Sequence, residues 1–224
     1  RVGVNKTMAL AQAMGIKSEI PDVPSIALGS TSISLFEMTG AYGCLANDGV
    51  AVTPYYVDAI YDLDGHVFTD LKPAATGKKV LSSETVQLVT DLLRTVIHEG
   101  TASRLRWRYG VYNLDVAGKT GTTQANADGW FMCYTPNLVI GSWVGADDPR
   151  IRFRHTKLGQ GSSTALPITG YFLKAIEQDK TFEPWVKQRF APLSQPLRAK
   201  PDCDLYELSD TLGYQIARSI ALRD

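Results

Sequence analysis

The sequence has few cysteines, no excess of either charge and no long apolar run. Cys44, Cys133 and Cys203 form no C-x-x-C pair and no metal-ligand spacing, and their odd number leaves at least one thiol free. The 23 basic and 23 acidic residues cancel, so the chain lacks the net positive charge typical of nucleic-acid-binding proteins. No apolar run approaches the length of a bilayer span, and no signal peptide opens the chain. We therefore expect no nucleic-acid partner, and we expect Cys44 and Cys133 to be small core residues.

Histidine is also scarce, which bears on metal binding. His66, His98 and His155 are scattered along the sequence, and none has a second ligand at a spacing typical of metal sites. Asp115 and Asp128 flank a glycine-rich segment, and we expect each to bind backbone groups and not to act as an acid catalyst. The sequence thus predicts no metal site and no cofactor.

The residues that are present favour one α+β domain followed by an extension. Hydrophobic residues make up 44% and charged residues 21%, as in globular proteins with a sizeable core. The element order favours an antiparallel β-sheet flanked by helices. Because proline and charge increase near the C-terminus, we divide the chain into a domain over 1–178 and an extension of unknown role over 179–224. Periodicity predicts helices over 7–15, 32–47, 82–99 and 165–178, a hairpin over 50–68, strands over 114–119, 129–134 and 138–144, and a loop over 104–113.

The most informative segment is the run Ala-Gly-Lys-Thr-Gly-Thr-Thr over 117–123. Glycine is unusual in strands, so the glycines around Lys119 indicate a place where a ligand approaches the backbone closely. Thr120 and Thr122 are two residues apart, which places their hydroxyls on the same side of a pleated strand. The backbone N–H of Thr122 could point at a developing oxyanion. These groups suit an edge strand that binds an extended peptide ending in a free carboxylate.

Two other interpretations of this segment remain open. Gly118-Lys119-Thr120 matches the end of a phosphate-binding loop, but Asn113 stands where that motif has its first glycine. No helix is predicted after the lysine, as that loop requires. Alternatively, Lys119 is a solvated surface lysine on an ordinary strand.

Lys-Thr-Gly is also one of three motifs of the penicillin-binding proteins and serine β-lactamases. The surrounding sequence resembles the transpeptidase domain of the penicillin-binding proteins, and in two segments it resembles the bifunctional class A members. The resemblance covers about 1–178. The matching segments are 25–30, 35–42, 46–50, 116–123, 128–131 and 161–167, with 61–65 and 96–102 similar to class A.

The resemblance implies a β-lactamase-like transpeptidase fold that is incomplete on its N-terminal side. It also implies a D,D-transpeptidase that cross-links stem peptides through an acyl-serine intermediate, without a cofactor. The implied partners are a peptidoglycan stem peptide ending in D-Ala-D-Ala and, for the complete domain, β-lactams. The implied catalytic residues are Lys119 and Thr122, and the implied substrate-binding residues are Thr120, Gly121, Thr122 and Thr123.

One departure from the family is large. No serine stands three residues before any of the 11 lysines, and none stands two residues before any asparagine, so the S-x-x-K and S-x-N motifs are absent. We expect these motifs upstream, in a parent protein that is extracytoplasmic and membrane-anchored, with the anchor outside this chain. The fragment is then expected to be inactive alone and prone to self-association. The alternative is a non-catalytic, transpeptidase-like module that binds peptides or proteins.

Overall fold

The computed structural model describes residues 2–73 and 77–193 of the chain. These residues form a helical and antiparallel-sheet structure, with 3₁₀ turns at Pro24–Leu28, Gln124–Asn126 and Lys180–Phe182. The helices are α1 (Val4–Ala13), α2 (Leu35–Ala46), α3 (Ser83–His98), α4 (Arg104–Trp107), α5 (Thr156–Gly159), α6 (Ala165–Gln178) and α7 (Glu183–Val186), and the strands are β1 (Ala59–Tyr61), β2 (Val67–Asp70), β3 (Ala117–Thr122), β4 (Asp128–Tyr134) and β5 (Val139–Gly145).

The larger sheet is an antiparallel meander in the order β3-β4-β5, as the sequence predicts. Lys119 pairs with Met132, and Thr120 pairs with Phe131. Residues that pair directly in an antiparallel sheet lie on the same face, and neighbours along a strand alternate between the two faces. The pairing therefore places Thr120 on the face of Phe131, and Lys119 on the opposite face.

Each face of this sheet is covered by helices. Phe131 and Cys133 are fully buried on one face, where they pack with Leu166 and Leu173 of α6. On the other face Tyr134 packs with residues of α2 and α3. The two layers of helix around one sheet confirm the predicted α+β class.

The cysteine prediction is also confirmed for the two cysteines that the structure describes. Cys44 and Cys133 are free and fully buried. Burial disfavours the thiolate, so the pKa of both thiols is raised above its ordinary value. Cys203 lies outside the described residues.

Some element boundaries differ from the prediction. The helix over 165–178 is correct, but the hairpin pairs only β1 with β2. The segment before β1 contains Pro54, and its first residues, Val50 and Ala51, pair with the segment around Lys79 instead. The strand that contains Lys119 begins at Ala117, because Ala117 pairs with Tyr134, the last residue of β4, and the residues before Ala117 have no partner strand in the described part of the chain. The predicted loop over 104–113 contains the short helix α4.

The C-terminal boundary of the domain stays a prediction. The first compact unit of the chain runs from Arg1 to Phe190, so it includes α7 and the turn before it. Within the described residues, no helix combines the length and the apolar character of a membrane span.

Candidate substrate-binding edge

Strand β3 lies at the edge of its sheet, since β4 is the one described strand that pairs with it. The Thr123 N–H donates to the Asp128 carbonyl at 3.2 Å, in continuation of the β3–β4 register. Along an antiparallel edge strand, the backbone N–H and C=O groups of one residue point to the partner strand, and those of the next residue point away from it. The N–H groups of Gly118, Thr120 and Thr122 therefore point to the outer edge. Because Ala117 and Gly118 are buried, the accessible part of this edge is 119–122.

The Lys119 ammonium also lies at the outer edge, although its side chain leaves the opposite face of the sheet from Thr120. Its Nζ donates to the outward-pointing Thr120 carbonyl at 2.9 Å, and the side chain is exposed. The positive charge is thus close to the free backbone groups of β3. A peptide that adds to this edge as a strand would place its carboxylate near the Lys119 ammonium and near the free backbone groups of β3.

The Thr120 hydroxyl has a partner that the sequence analysis did not identify. Its Oγ1 lies 2.6 Å from Oγ1 of Thr101, in the turn between α3 and α4. Thr101 belongs to the segment 96–102 that resembles class A members. That resemblance was the available signal, but it did not indicate which residue Thr101 contacts.

The Thr122 hydroxyl is bound by the loop that precedes α6. Its Oγ1 accepts the Gly161 N–H at 3.1 Å, so its own proton remains free to donate. Gly161 lies so close to the sheet that a Cβ atom there would overlap with the carbonyl oxygens of Gly121 and Trp130. Glycine at this position therefore permits the contact with Thr122.

Thr123, Gly118 and Gly121 have structural contacts that the sequence did not predict. The Thr123 hydroxyl accepts the Asp128 N–H at 3.0 Å and so closes the turn between β3 and β4. A Cβ on Gly118 would lie 2.7 Å from Cβ of Cys133, and one on Gly121 would lie 3.1 Å from Cβ of Trp130. Both glycines therefore make room for side chains of β4, which is a further reason for glycine at these two positions.

Within the described residues, the expected backbone contact is found for the Asp115 carboxylate and not for the Asp128 carboxylate, and both accept a hydrogen bond from a side chain. The buried Asp115 carboxylate accepts from Arg94 Nε at 2.8 Å and from the Phe190 N–H at 3.1 Å. Asp128 accepts from the Trp143 indole at 3.0 Å. Asp115 thus joins α3 to the segment after α7, behind the N-terminal end of β3.

The phosphate-loop interpretation does not fit this geometry. Residues 117–122 continue as an extended strand through the lysine, and the 3₁₀ turn Gln124–Asn126 follows it. A phosphate-binding loop needs a helix N-terminus directly after the lysine, where backbone N–H groups converge on the anion.

Two other features lie apart from β3. In the turn after β1, one oxygen or nitrogen from each of Asp62, Asp64 and His66 lies within 4.8 Å of the others, a grouping that the sequence did not predict. These side chains are exposed, and Asp62 Oδ1 already accepts the backbone N–H groups of Asp64 and His66.

The second feature is a small apolar pocket beside α6, lined by Leu138, Phe172, Ala175, Ile176, Asp179, Phe182 and Trp185.

A family model described as the penicillin binding protein transpeptidase domain matches residues 15–168. The chain belongs to this family. The edge strand with Lys119 lies inside the matched region, as do Thr101 and Gly161.

Relatives within the penicillin-binding protein family confirm the similarity to class A. Penicillin-binding protein 1A of Aquifex aeolicus is 33% identical over 79% of this chain and 23% of the relative. The protein of the same name from Rickettsia bellii is 32% identical over 80% of this chain and 24% of the relative. The chain thus spans about a quarter of the length of these curated relatives.

Solved structures of penicillin-binding proteins share the fold. Penicillin-binding protein 1A from Haemophilus influenzae aligns with a TM-score of 0.71 at 25% identity, over 87% of this chain and 32% of that one. PonA1 from Mycobacterium tuberculosis in complex with penicillin V aligns with a TM-score of 0.66 at 24% identity, over 87% of this chain and 54% of that one. The expected transpeptidase fold, present here in part, is confirmed.

Proposed function

We propose that this chain is part of a peptidoglycan D,D-transpeptidase domain, and that β3 is the edge on which the stem peptide binds. The observation that carries the proposal is the grouping of Lys119, the Thr120 and Thr122 hydroxyls and the outward N–H of Thr122 on one accessible edge. An extended peptide can add to this edge as another strand. Its terminal carboxylate would accept hydrogen bonds from the two hydroxyls in the field of the ammonium.

The proposed reaction needs a serine from outside this sequence. The serine oxygen attacks the penultimate D-alanine carbonyl, an ester bond forms, and the terminal D-alanine leaves with a proton on its amine. An amine from a second stem peptide then displaces the serine. In this scheme the Thr122 N–H is one half of the oxyanion hole, and Lys119 tunes the proton network at the serine. Gly121 and Thr123 complete the substrate-binding edge.

The absence of S-x-x-K and S-x-N supports the inference that this chain alone forms no acyl-enzyme. β-Lactams, which acylate the same serine, would then react only with the complete domain. Because cell-wall cross-linking takes place outside the cytoplasmic membrane, the parent protein would be extracytoplasmic. We also propose that the fragment self-associates.

Peptide titration tests the substrate-binding edge. Diacetyl-Lys-D-Ala-D-Ala and its C-terminal amide would be added separately to the isotopically labelled chain, with the amide resonances of Thr120 and Thr122 followed by NMR. We expect the acid to shift both resonances and the amide to shift them much less, and Thr122→Val to weaken binding of the acid. Equal responses to acid and amide, or no response, would contradict the proposal.

Fluorescent penicillin tests the missing nucleophile. We expect no covalent label on the denatured 224-residue chain, while a full-length class A relative treated in parallel is labelled. A label that survives denaturation would show that a nucleophile is present after all.

The second candidate is a non-catalytic module that binds peptides or proteins, and the absent serine motifs are compatible with both candidates. The coding sequence upstream of Arg1 distinguishes the two candidates. An S-x-x-K followed by S-x-N there supports the enzyme, and a sequence without them supports the module.

A further inference from the structure

The turn that carries Thr101 is held firmly beside β3. Ala102 is fully buried, and its N–H donates to the Val96 carbonyl at 3.2 Å. A Cβ on Gly100 would lie 2.8 Å from the Cα of Val96, so the turn folds tightly back on the end of α3. The position of the Thr101 backbone is thus fixed by the packing and hydrogen bonding of this turn.

This turn is also connected to the loop that binds Thr122. Arg104, three residues after Thr101, donates from its guanidinium to the Ser162 carbonyl at 3.3 Å and to the Ser163 hydroxyl at 3.0 Å. Gly161 in the same loop donates to the Thr122 hydroxyl. The turn that binds the Thr120 hydroxyl and the loop that binds the Thr122 hydroxyl are therefore connected to each other through Arg104.

The hydroxyl pair keeps one free donor whichever way its hydrogen bond runs. If Thr120 donates to Thr101, the Thr101 proton is free, and if Thr101 donates, the Thr120 proton is free. With the free proton of Thr122, this edge offers two hydroxyl donors to an anion. A threonine side chain without such a partner would sample other rotamers, and ordering it would then oppose binding.

We propose that Thr101 is a positioning residue of the carboxylate site, because it holds the Thr120 hydroxyl in the rotamer that faces the substrate. This inference rests on the proposed function of the β3 edge. In this proposal Thr101 donates to Thr120, so that Thr120 keeps the free proton, and Thr101 acts through Thr120 with no role in bond making or breaking. It adds a residue from outside the strand to the recognition of the peptide's acidic end.

Three variants test the inference. Thr101→Val removes the hydroxyl at constant shape, Thr101→Ser keeps it, and Thr95→Val removes an exposed hydroxyl that donates to Asp91 on α3. The first measurement is the pair of three-bond couplings from the Thr120 backbone N and C′ to Cγ2, which report its rotamer without any ligand. The second is the dissociation constant for diacetyl-Lys-D-Ala-D-Ala from NMR titration.

In Thr101→Val we expect averaged couplings at Thr120 and binding of the acid weakened about fivefold, the loss of one ordinary hydrogen bond. Thr101→Ser is expected to keep the single rotamer and the affinity, and Thr95→Val to resemble the wild type. If Thr101→Val does not fold, Thr101→Ala is measured in its place.

Two results would overturn the inference, and they differ from failure of the proposed function. Unchanged Thr120 couplings in Thr101→Val, or unchanged affinity for the acid, would show that Thr101 positions nothing. A wild-type chain that does not distinguish acid from amide would instead refute the binding edge, and the inference with it. That result is seen before any variant is made.

Discussion

At the scale of single residues, the Glu37 carboxylate accepts more hydrogen bonds than any other carboxylate among the described residues. Its side chain accepts from the Ser18 hydroxyl at 2.6 Å and the Ser34 hydroxyl at 2.7 Å, and from the N–H groups of Lys17, Ser18 and Ser34. The Ser34 contacts form a capping box at the start of α2. The contacts to Lys17 and Ser18 connect that helix end to the segment after α1.

These bonds give the stability of the protein a defined pH dependence. The Ser18 and Ser34 hydroxyls, followed by the backbone donors, lower the pKa of Glu37 to about 2 from its ordinary value of 4.5. Between these values the unfolded chain binds the proton more readily than the folded chain does. The contribution of Glu37 to the free energy of unfolding is therefore complete above pH 4.5 and is lost as the pH falls towards 2.

Glu37→Gln should remove this contribution. We expect it to lower the free energy of unfolding by about 1 kcal/mol at neutral pH, because a neutral amide oxygen accepts hydrogen bonds less strongly than a carboxylate does. It should also reduce the loss of stability on acidification, measured by urea unfolding at pH values from neutral to acidic. Glu84→Gln, in the first turn of α3, is the matched control. Equal pH dependence in both variants would contradict the assignment.

At the scale of elements, the packing of α3 on the sheet includes one buried polar contact. The Tyr134 hydroxyl lies 2.8 Å from Thr90 Oγ1, and the whole Tyr134 side chain is buried. Its ring makes edge contacts with Tyr42 and Phe190 at centroid distances of 6.1 and 5.4 Å. Burial raises the pKa of Tyr134 to about 12, so it remains a neutral hydrogen-bonding group.

A double-mutant cycle tests this contact. Thr90→Val should cost about 1–3 kcal/mol in the free energy of unfolding, because it leaves the Tyr134 hydroxyl buried without a partner. Adding Tyr134→Phe should recover part of that loss, since neither polar group then remains. Urea unfolding of the four proteins gives the coupling energy. If the effect of the double substitution equals the sum of the two single effects on the free energy of unfolding, the hydroxyls do not interact. The exposed substitution Thr95→Val is the control.

At the scale of the whole molecule, the β1–β2 hairpin leaves apolar side chains in solvent. Phe68 is 78% exposed and Tyr61 is 60% exposed, with Ile60, Leu63 and Val67 also exposed. A short two-stranded hairpin is marginal by itself, and its edges and apolar faces favour pairing with other chains. This surface supports the expectation that the fragment self-associates.

Light scattering after size-exclusion chromatography tests that expectation. We expect the average mass to rise with protein concentration, and Phe68→Lys to reduce the rise because a charge opposes burial of the hairpin. His66→Lys adds a charge to the adjacent turn without removing apolar surface, so it is the control. A monomer at every concentration would contradict self-association, and equal effects of both substitutions would place the contact elsewhere.

Local patterns predicted several elements well. Helix α6 has the predicted bounds, and α3 begins within one residue of its predicted start, with the Ser82 hydroxyl accepting the Thr85 N–H as its cap. The predicted start of α2 at 32 differs from the structure, where Ser34 is the cap, a position that the S-x-x-E pattern of Ser34 and Glu37 indicates. Such features depend on residues three or four apart, so a sequence window contains their causes.

The sequence alone determined that a lysine, two glycines and three threonines follow one another on an extended segment, and that this pattern is typical of one protein family. Only the tertiary structure decided what surrounds them. Thr101 is 19 residues from Thr120, and Gly161 is 39 residues from Thr122. These partners meet because α3 and α6 pack on the same sheet, and contacts so distant along the chain leave no periodic signal in the sequence.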